Sequence, residues 1–157
     1  MVMTALLAMG CATTKSLERK LTAYPYKAIT PTEAKKAGIK LNSKMDKLYP
    51  NGMELQGDSV SQGYLRAWHA FLQEMMADIQ AQGVTWDSPY RFSIRIFFAA
   101  DGTVDLCIYN WDEGTQPTVE WKAQFHKALD TYLNKARYGH LLNQRFSQCG
   151  SIRLSLK

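Results

Sequence analysis

YRFSIRIFFAADGTVDLCIYNW, residues 90–111, is the stretch whose reading decides the fold. Tyr90, Phe92, Ile94, Ile96 and Phe98 fall on one side of an alternating run, and Arg91, Ser93, Arg95 and Phe97 on the other. In a second run Val104, Leu106 and Ile108 alternate with Asp105, Cys107, Tyr109 and Trp111. A period of two with β-branched and aromatic residues marks half-buried strands. A two-residue loop at Asp101-Gly102 would set apolar Phe98 against Asp105. A three-residue loop, Ala100-Asp101-Gly102, pairs Ala99 with Thr103 and Phe98 with Val104. The apolar positions of both runs then share a face, since a slip of one residue inverts a strand. Gly102 supplies the positive φ that such a loop needs.

Outward from the hairpin, two amphipathic helices are expected. Before it, Leu65, Trp68, Leu72, Met75, Met76 and Ile79 recur at spacings of three and four. After it, Thr118 is a plausible N-cap, and Trp121, Phe125, Ala128, Leu129, Tyr132 and Ala136 form a second stripe. Ser151–Lys157 alternates again, with Ile152, Leu154 and Leu156 inward. The core order is helix, strand, strand, helix, strand, an α+β pattern. A right-handed crossover through the second helix sets the last strand beside the first, in a three-stranded sheet of order 2-1-3. Both helices then cover one face, and Ile94, Leu106 and Ile152 meet beneath Leu72 and Phe125. Further upstream, Thr30-Pro31-Thr32-Glu33 reads as a capping box opening one short helix that Gly38 ends.

The chain of 157 residues is long enough for one domain with a real core, and its net charge is +5. Residues 15–57 hold nine Lys/Arg against four acids, and the other ten basic and ten acidic residues cancel. The excess is either a solubilising surface or an attraction to anionic lipid headgroups. Nucleic acid fits less well, because no basic and aromatic stripe recurs. Met1–Gly10 is apolar and uncharged, like the core of a secretory signal peptide, and is too short to span a bilayer. Leu7-Ala8-Met9-Gly10-Cys11 resembles a bacterial lipobox, which implies that Cys11 becomes the lipid-bearing first residue. The lack of Lys or Arg before Cys11 suggests a start codon a few residues upstream. Ala12 after the cysteine implies sorting to the outer membrane, on its periplasmic side. The expected organisation is a signal peptide over 1–10, a lipidated basic tether with one short helix over 11–57, and the α+β domain over 58–157.

The domain's element order resembles the C-terminal domains of TonB and TolA, the periplasmic ends of envelope energy transducers. Phe92-Ser93-Ile94-Arg95-Ile96, the Ala100-Asp101-Gly102 turn, the Val104–Ile108 strand and the helix from Thr118 carry the likeness, over roughly 60–157. The chain departs from those proteins in lacking a membrane-spanning anchor and long spacer, and His140–Gly150 replaces a Pro-rich stretch. The resemblance implies a periplasmic interaction domain that adds a partner strand to its sheet edge, not an energy transducer.

No catalytic constellation, metal-ligand spacing or cofactor motif is evident, so the expectation is a protein that is not an enzyme and holds no cofactor. His69, His126 and His140 are scattered, and neither remaining cysteine has a base nearby. Order 2-1-3 would hold Cys107 and Cys149 two strand spacings apart, roughly 9.6 Å, where a disulfide needs about 7 Å. A loop before the last strand could still bring Cys149 closer. Arg91, Arg95, Phe97, Tyr109, Trp111 and Arg153 are expected together on the sheet face away from the helices, with Arg91 over Trp111. Either this face binds something, or residues 15–57 fold back over it as a smaller core. Two functions follow: an outer-membrane lipoprotein that binds an envelope protein by strand pairing, with Ser151–Lys157 as the candidate edge and the second hairpin strand as the other, or a binder of a small molecule or envelope polymer on the Arg and aromatic face.

Overall fold

The structure, a computed structural model, describes residues 16–155 apart from 18, 22, 58–60 and 115. The proposed signal peptide, Cys11 and Leu156 lie outside the described residues. The protein is α+β. Its strands are β1 (Ala28–Ile29), β2 (Tyr90–Phe98), β3 (Val104–Trp111) and β4 (Phe146–Leu154). Its α-helices include α1 (Pro31–Lys36), α2 (Ser43–Leu48), α3 (Gln62–Ala81) and α4 (Val119–Lys135). The sheet order is β1-β3-β2-β4, with β1 parallel to β3 and the other pairs antiparallel. The sheet therefore has four strands where three were expected. Two residues, Ala28 and Ile29, are too short a run to show a period.

The helices begin where side chains can take up orphan N–H groups. Thr30 and Glu33 close a reciprocal capping box on α1, and Ser61 and Thr118 cap α3 and α4. The hairpin loop is Ala100-Asp101-Gly102. The Ala99 N–H donates to the Thr103 carbonyl (2.8 Å), and Phe98 stands opposite Val104. Beyond that pair the register slips, because Phe97 faces Leu106 and leaves Asp105 as an extra residue. A bulge of one residue inverts the alternation downstream. Cys107, Tyr109 and Trp111 therefore join Ile96, Ile94 and Phe92 on the main core face, while Leu106 and Ile108 turn to the opposite face. Ile94 and Ile152 do meet α3 and α4, but Leu106 does not.

That opposite face carries a second core. Leu21, Ile29, Ala34, Ile39, Met45 and Tyr49 bury Phe97, Leu106 and Ile108. The leading segment, expected either as a tether with one short helix or folded back over this face, forms β1 and two short helices across part of the outer sheet face, as the second alternative has it. β4 also starts five residues earlier than Ser151. Its first half, Phe146-Ser147-Gln148-Cys149-Gly150, lacks an apolar alternation because its neighbours supply the apolar groups. The side chain of Trp68 lies over Gly150, so a Cβ there would approach Trp68 Cζ2 to 3.1 Å. Gln148 is buried but accepts a hydrogen bond from the Tyr64 hydroxyl.

Candidate interaction edge

An open sheet has two edges, and this chain closes them unequally. At the β1 edge, Asp130 on α4 accepts hydrogen bonds at Oδ1 from the N–H groups of Lys27 (2.5 Å) and Ala28 (3.0 Å). Removing that carboxylate leaves two half-buried donors unpaired. Asp130→Ala should therefore cost about 1–3 kcal/mol in urea unfolding. An unchanged midpoint would show that solvent satisfies both donors equally well.

At the β4 edge the cover is partial. The Ser147 N–H donates to the Pro50 carbonyl (2.9 Å), and the Gly52 N–H donates to the Ser147 carbonyl (2.8 Å). Ser147 thus points its backbone groups away from β2. By the two-residue period of an antiparallel strand, Cys149, Ser151 and Arg153 do the same. Among the described residues none of these three has a backbone partner on that side; the Cys149 carbonyl accepts from Gln148 Nε2 (3.2 Å). Trp86 Nε1 closes the far end by donating to the Ser155 carbonyl (2.9 Å). The open stretch is Cys149–Arg153.

A helix overhangs it. α3 meets α4 through Phe71, whose carbonyl accepts from Tyr132 Oη (3.3 Å), and through Asp78, which pairs with Lys135. At 100° per residue, Leu65, Leu72 and Met76 lie on the flank of α3 turned away from α4, toward β4. All three are only partly buried against the core. On the other side of the sheet, exposed Arg153 stands directly opposite exposed Arg91. Like charges so placed repel. Asp112 lies 3.9 Å from Arg91, and Arg153 has no carboxylate within ion-pair distance among the described residues.

Six residues were expected to share the outer face, and the bulge divides them. Arg91 and Arg153 are exposed there. Arg95 is half-buried and engaged: it pairs with Asp46 (2.8 Å), donates from Nη2 to Ser147 Oγ (3.0 Å), and lies 4.8 Å above the Phe97 ring. Phe97 is buried against Tyr49, with ring centroids 5.3 Å apart. Tyr109 and Trp111 lie on the main core face. Tyr109 Oη is 3.0 Å from His126 Nδ1, and burial pushes its phenol well above the usual range. Trp111 packs on Phe92 and Phe125, not on Arg91.

No family model, curated protein or solved structure matches the chain. No group of three or more His, Cys, Asp or Glu among the described residues could hold a metal ion. Cys107 and Cys149 are both free, on opposite faces of the sheet and flanking β2. Burial pushes the Cys107 thiol far up, which disfavours its thiolate. No helix among the described residues is long and apolar enough to cross a membrane. Within the open stretch Cys149 and Gly150 had no sequence signal, because Gln148 and Gly150 break the alternation that marks a strand, whereas Ser151–Arg153 fall in the run expected as an edge. Only its last residues were legible as an edge.

Proposed function

We propose that the protein is a non-catalytic interaction module of the bacterial envelope that captures an extended segment of another envelope protein as a fifth strand beside β4. The observation that carries this reading is the open backbone of Cys149–Arg153 beneath the apolar flank Leu65-Leu72-Met76, set against an opposite edge that Asp130 caps. An added strand would find main-chain partners at Cys149, Ser151 and Arg153. Its alternate side chains would lie under α3 on one side and beside Arg153 on the other. The segment that fits is apolar at every second position, with an acidic residue facing Arg153. The lipobox-like run before Cys11 supports attachment to the outer membrane, facing the periplasm. The Arg and aromatic face loses support as a ligand site, since its aromatic members are buried or on the other face.

The test exploits the direction of the Arg153 N–H. Because that group faces outward, Arg153→Pro removes a donor from the open edge without removing a ladder bond to β2. A photo-crosslinking residue at Ser151 should trap a partner in intact cells, and Arg153→Pro should abolish the adduct while far-UV dichroism stays unchanged. A crosslinker at Lys127, exposed on α4, should trap nothing comparable. Equal adducts from Ser151 with and without the proline would end the strand-pairing reading.

A further inference from the structure

We propose that the α1–α2 layer is a second docking surface, one that lies against an anionic membrane. Its two helices each bury one small or apolar residue against the sheet, Ala34 in α1 and Met45 in α2. Two positions later come Lys36 and Lys47, on the helix sides facing away from the sheet at 100° per residue. Lys35, Lys40 and Lys44 are exposed beside them. Among the described residues none of the five lies within ion-pair distance of a carboxylate. The two acids of the layer are engaged elsewhere. Asp46 pairs with Arg95, and Glu33 accepts from both the N–H and the hydroxyl of Thr30. Partial burial pushes the Glu33 carboxyl up, but the Thr30 bonds outweigh it and Lys36 adds to the lowering. The layer thus presents unpaired cations outward, while each of its two carboxylates already has a partner, exposed Asp46 on Arg95 and half-buried Glu33 on Thr30.

The same surface is apolar between its charges. Pro31, Ala34, Gly38, Ile39 and Leu41 line an open groove of about 360 Å³ with Lys35 and Lys40 beside it. Leu41 is 47 % exposed. A leucine ringed by ammonium groups suits a bilayer interface, where the apolar side chain enters and the lysines reach phosphates. All five cations are lysines, suited to a diffuse layer of headgroups more than to the bidentate contacts that arginine makes with nucleic-acid phosphates. The N-terminal chain leaves from this side too: Lys20 Nζ donates to the Gly38 carbonyl (3.4 Å), and Leu17 and Leu21 pack into the same layer. Four residues lie between Cys11 and Ser16, and the five steps of chain reach at most about 18 Å. This last point rests on the lipid-anchor reading; the lysine surface does not.

Vesicle flotation separates the two. The probe is the full chain carrying Cys11→Ser, mixed with vesicles of equal parts phosphatidylglycerol and phosphatidylethanolamine, or of phosphatidylcholine alone. The expected result is partition onto the anionic vesicles only, reversed by high salt. Each lysine near the surface should be worth about fivefold, so Lys35→Gln, Lys40→Gln and Lys44→Gln together should weaken partition about a hundredfold. Leu41→Asp should weaken it further, and neutralising Lys122 and Lys127 on α4 should leave it unchanged. Lys35, Lys40, Lys44 and Leu41 are exposed, so the thermal midpoint of their variants should hold. Equal binding to both vesicle types, undiminished binding by the triple variant, or full displacement by a short DNA duplex would each overturn the proposal. None of these outcomes bears on the β4 edge.

Discussion

Phe98→Ala should be the most damaging single truncation, lowering unfolding free energy by about 3–5 kcal/mol and the thermal midpoint by roughly 10 °C. Phe98 is fully buried where the hairpin, β4, α3 and the segment after α4 converge. Its ring stacks on Phe146 at 4.9 Å between centroids, leans on Tyr138 at 5.0 Å and meets Phe71 edge-on at 5.4 Å. Each neighbour comes from a different element, so no single local shift can fill the space left by the ring. Collapse would have to move α3, β4 and the segment after α4 at once, which is the circumstance in which cavity costs are largest. Urea unfolding of the variant checks this. A loss below about 1.5 kcal/mol, the size of a volume-conserving core swap, would mean that the rings are not packed as described.

Such packing explains which parts of the fold were legible in the sequence. β2 was legible because one of its faces is apolar and the other mostly polar, so its period of two is unambiguous. The loop was legible because only one register kept Phe98 away from Asp105. β3 was legible as a strand over Val104–Trp111, but the facing of its residues was not, since Leu106, Cys107, Ile108 and Tyr109 are all buried. A strand covered on both sides has no period to read, and alternation cannot then reveal a bulge. The one local hint was Asp105 itself, a charge inside an apolar run. As the extra residue it reaches outward to accept from the Tyr49 hydroxyl (2.8 Å). Misplacing that single residue moved Tyr109 and Trp111 to the wrong face and gathered on one side six residues that the fold divides between two.

The leading segment was read both as a tether and as a chain folding back over the outer face, and the second reading is the one the second core bears out. Its lysines and turn residues suggest a solvated tether, yet Ile29, Ala34, Ile39, Met45 and Tyr49 are each nearly fully buried. Isolated apolar residues in short helices carry little periodic signal. What demanded them was Phe97, Leu106 and Ile108 on the far face of the sheet, three large apolar groups that water would otherwise meet. A two-faced β3 and an unfinished tether were therefore one fact seen from two places: a strand apolar on both sides needs a layer on both sides. The layer that covers part of the outer face also leaves the rest bare, which is why Arg91 and Arg153 stay exposed beside the open edge.

Gly102→Ala should cost about 2–4 kcal/mol, from left-handed strain and overpacking together. The sequence justified this glycine by its turn alone, and its φ is 82°. The structure adds a second constraint. A Cβ there would fall 2.7 Å from the Tyr138 carbonyl oxygen and 2.9 Å from Leu141 Cδ2. The carbonyl is backbone and is held in place, because the Tyr138 N–H donates to the Gly102 carbonyl (2.8 Å) and the Tyr138 hydroxyl donates to the Tyr64 carbonyl (2.9 Å). The hairpin tip is therefore pinned to the segment that carries the chain from α4 into β4. Gly102→Asn separates the two causes: asparagine tolerates a positive φ better than alanine but brings the same Cβ. If turn strain alone governs the site, asparagine should recover most of the loss in urea unfolding. If the contact with Tyr138 governs it, as the 2.7 Å approach indicates, asparagine should be no better than alanine, and both variants should loosen β4 along with the hairpin, read as faster amide exchange across Phe146–Leu154.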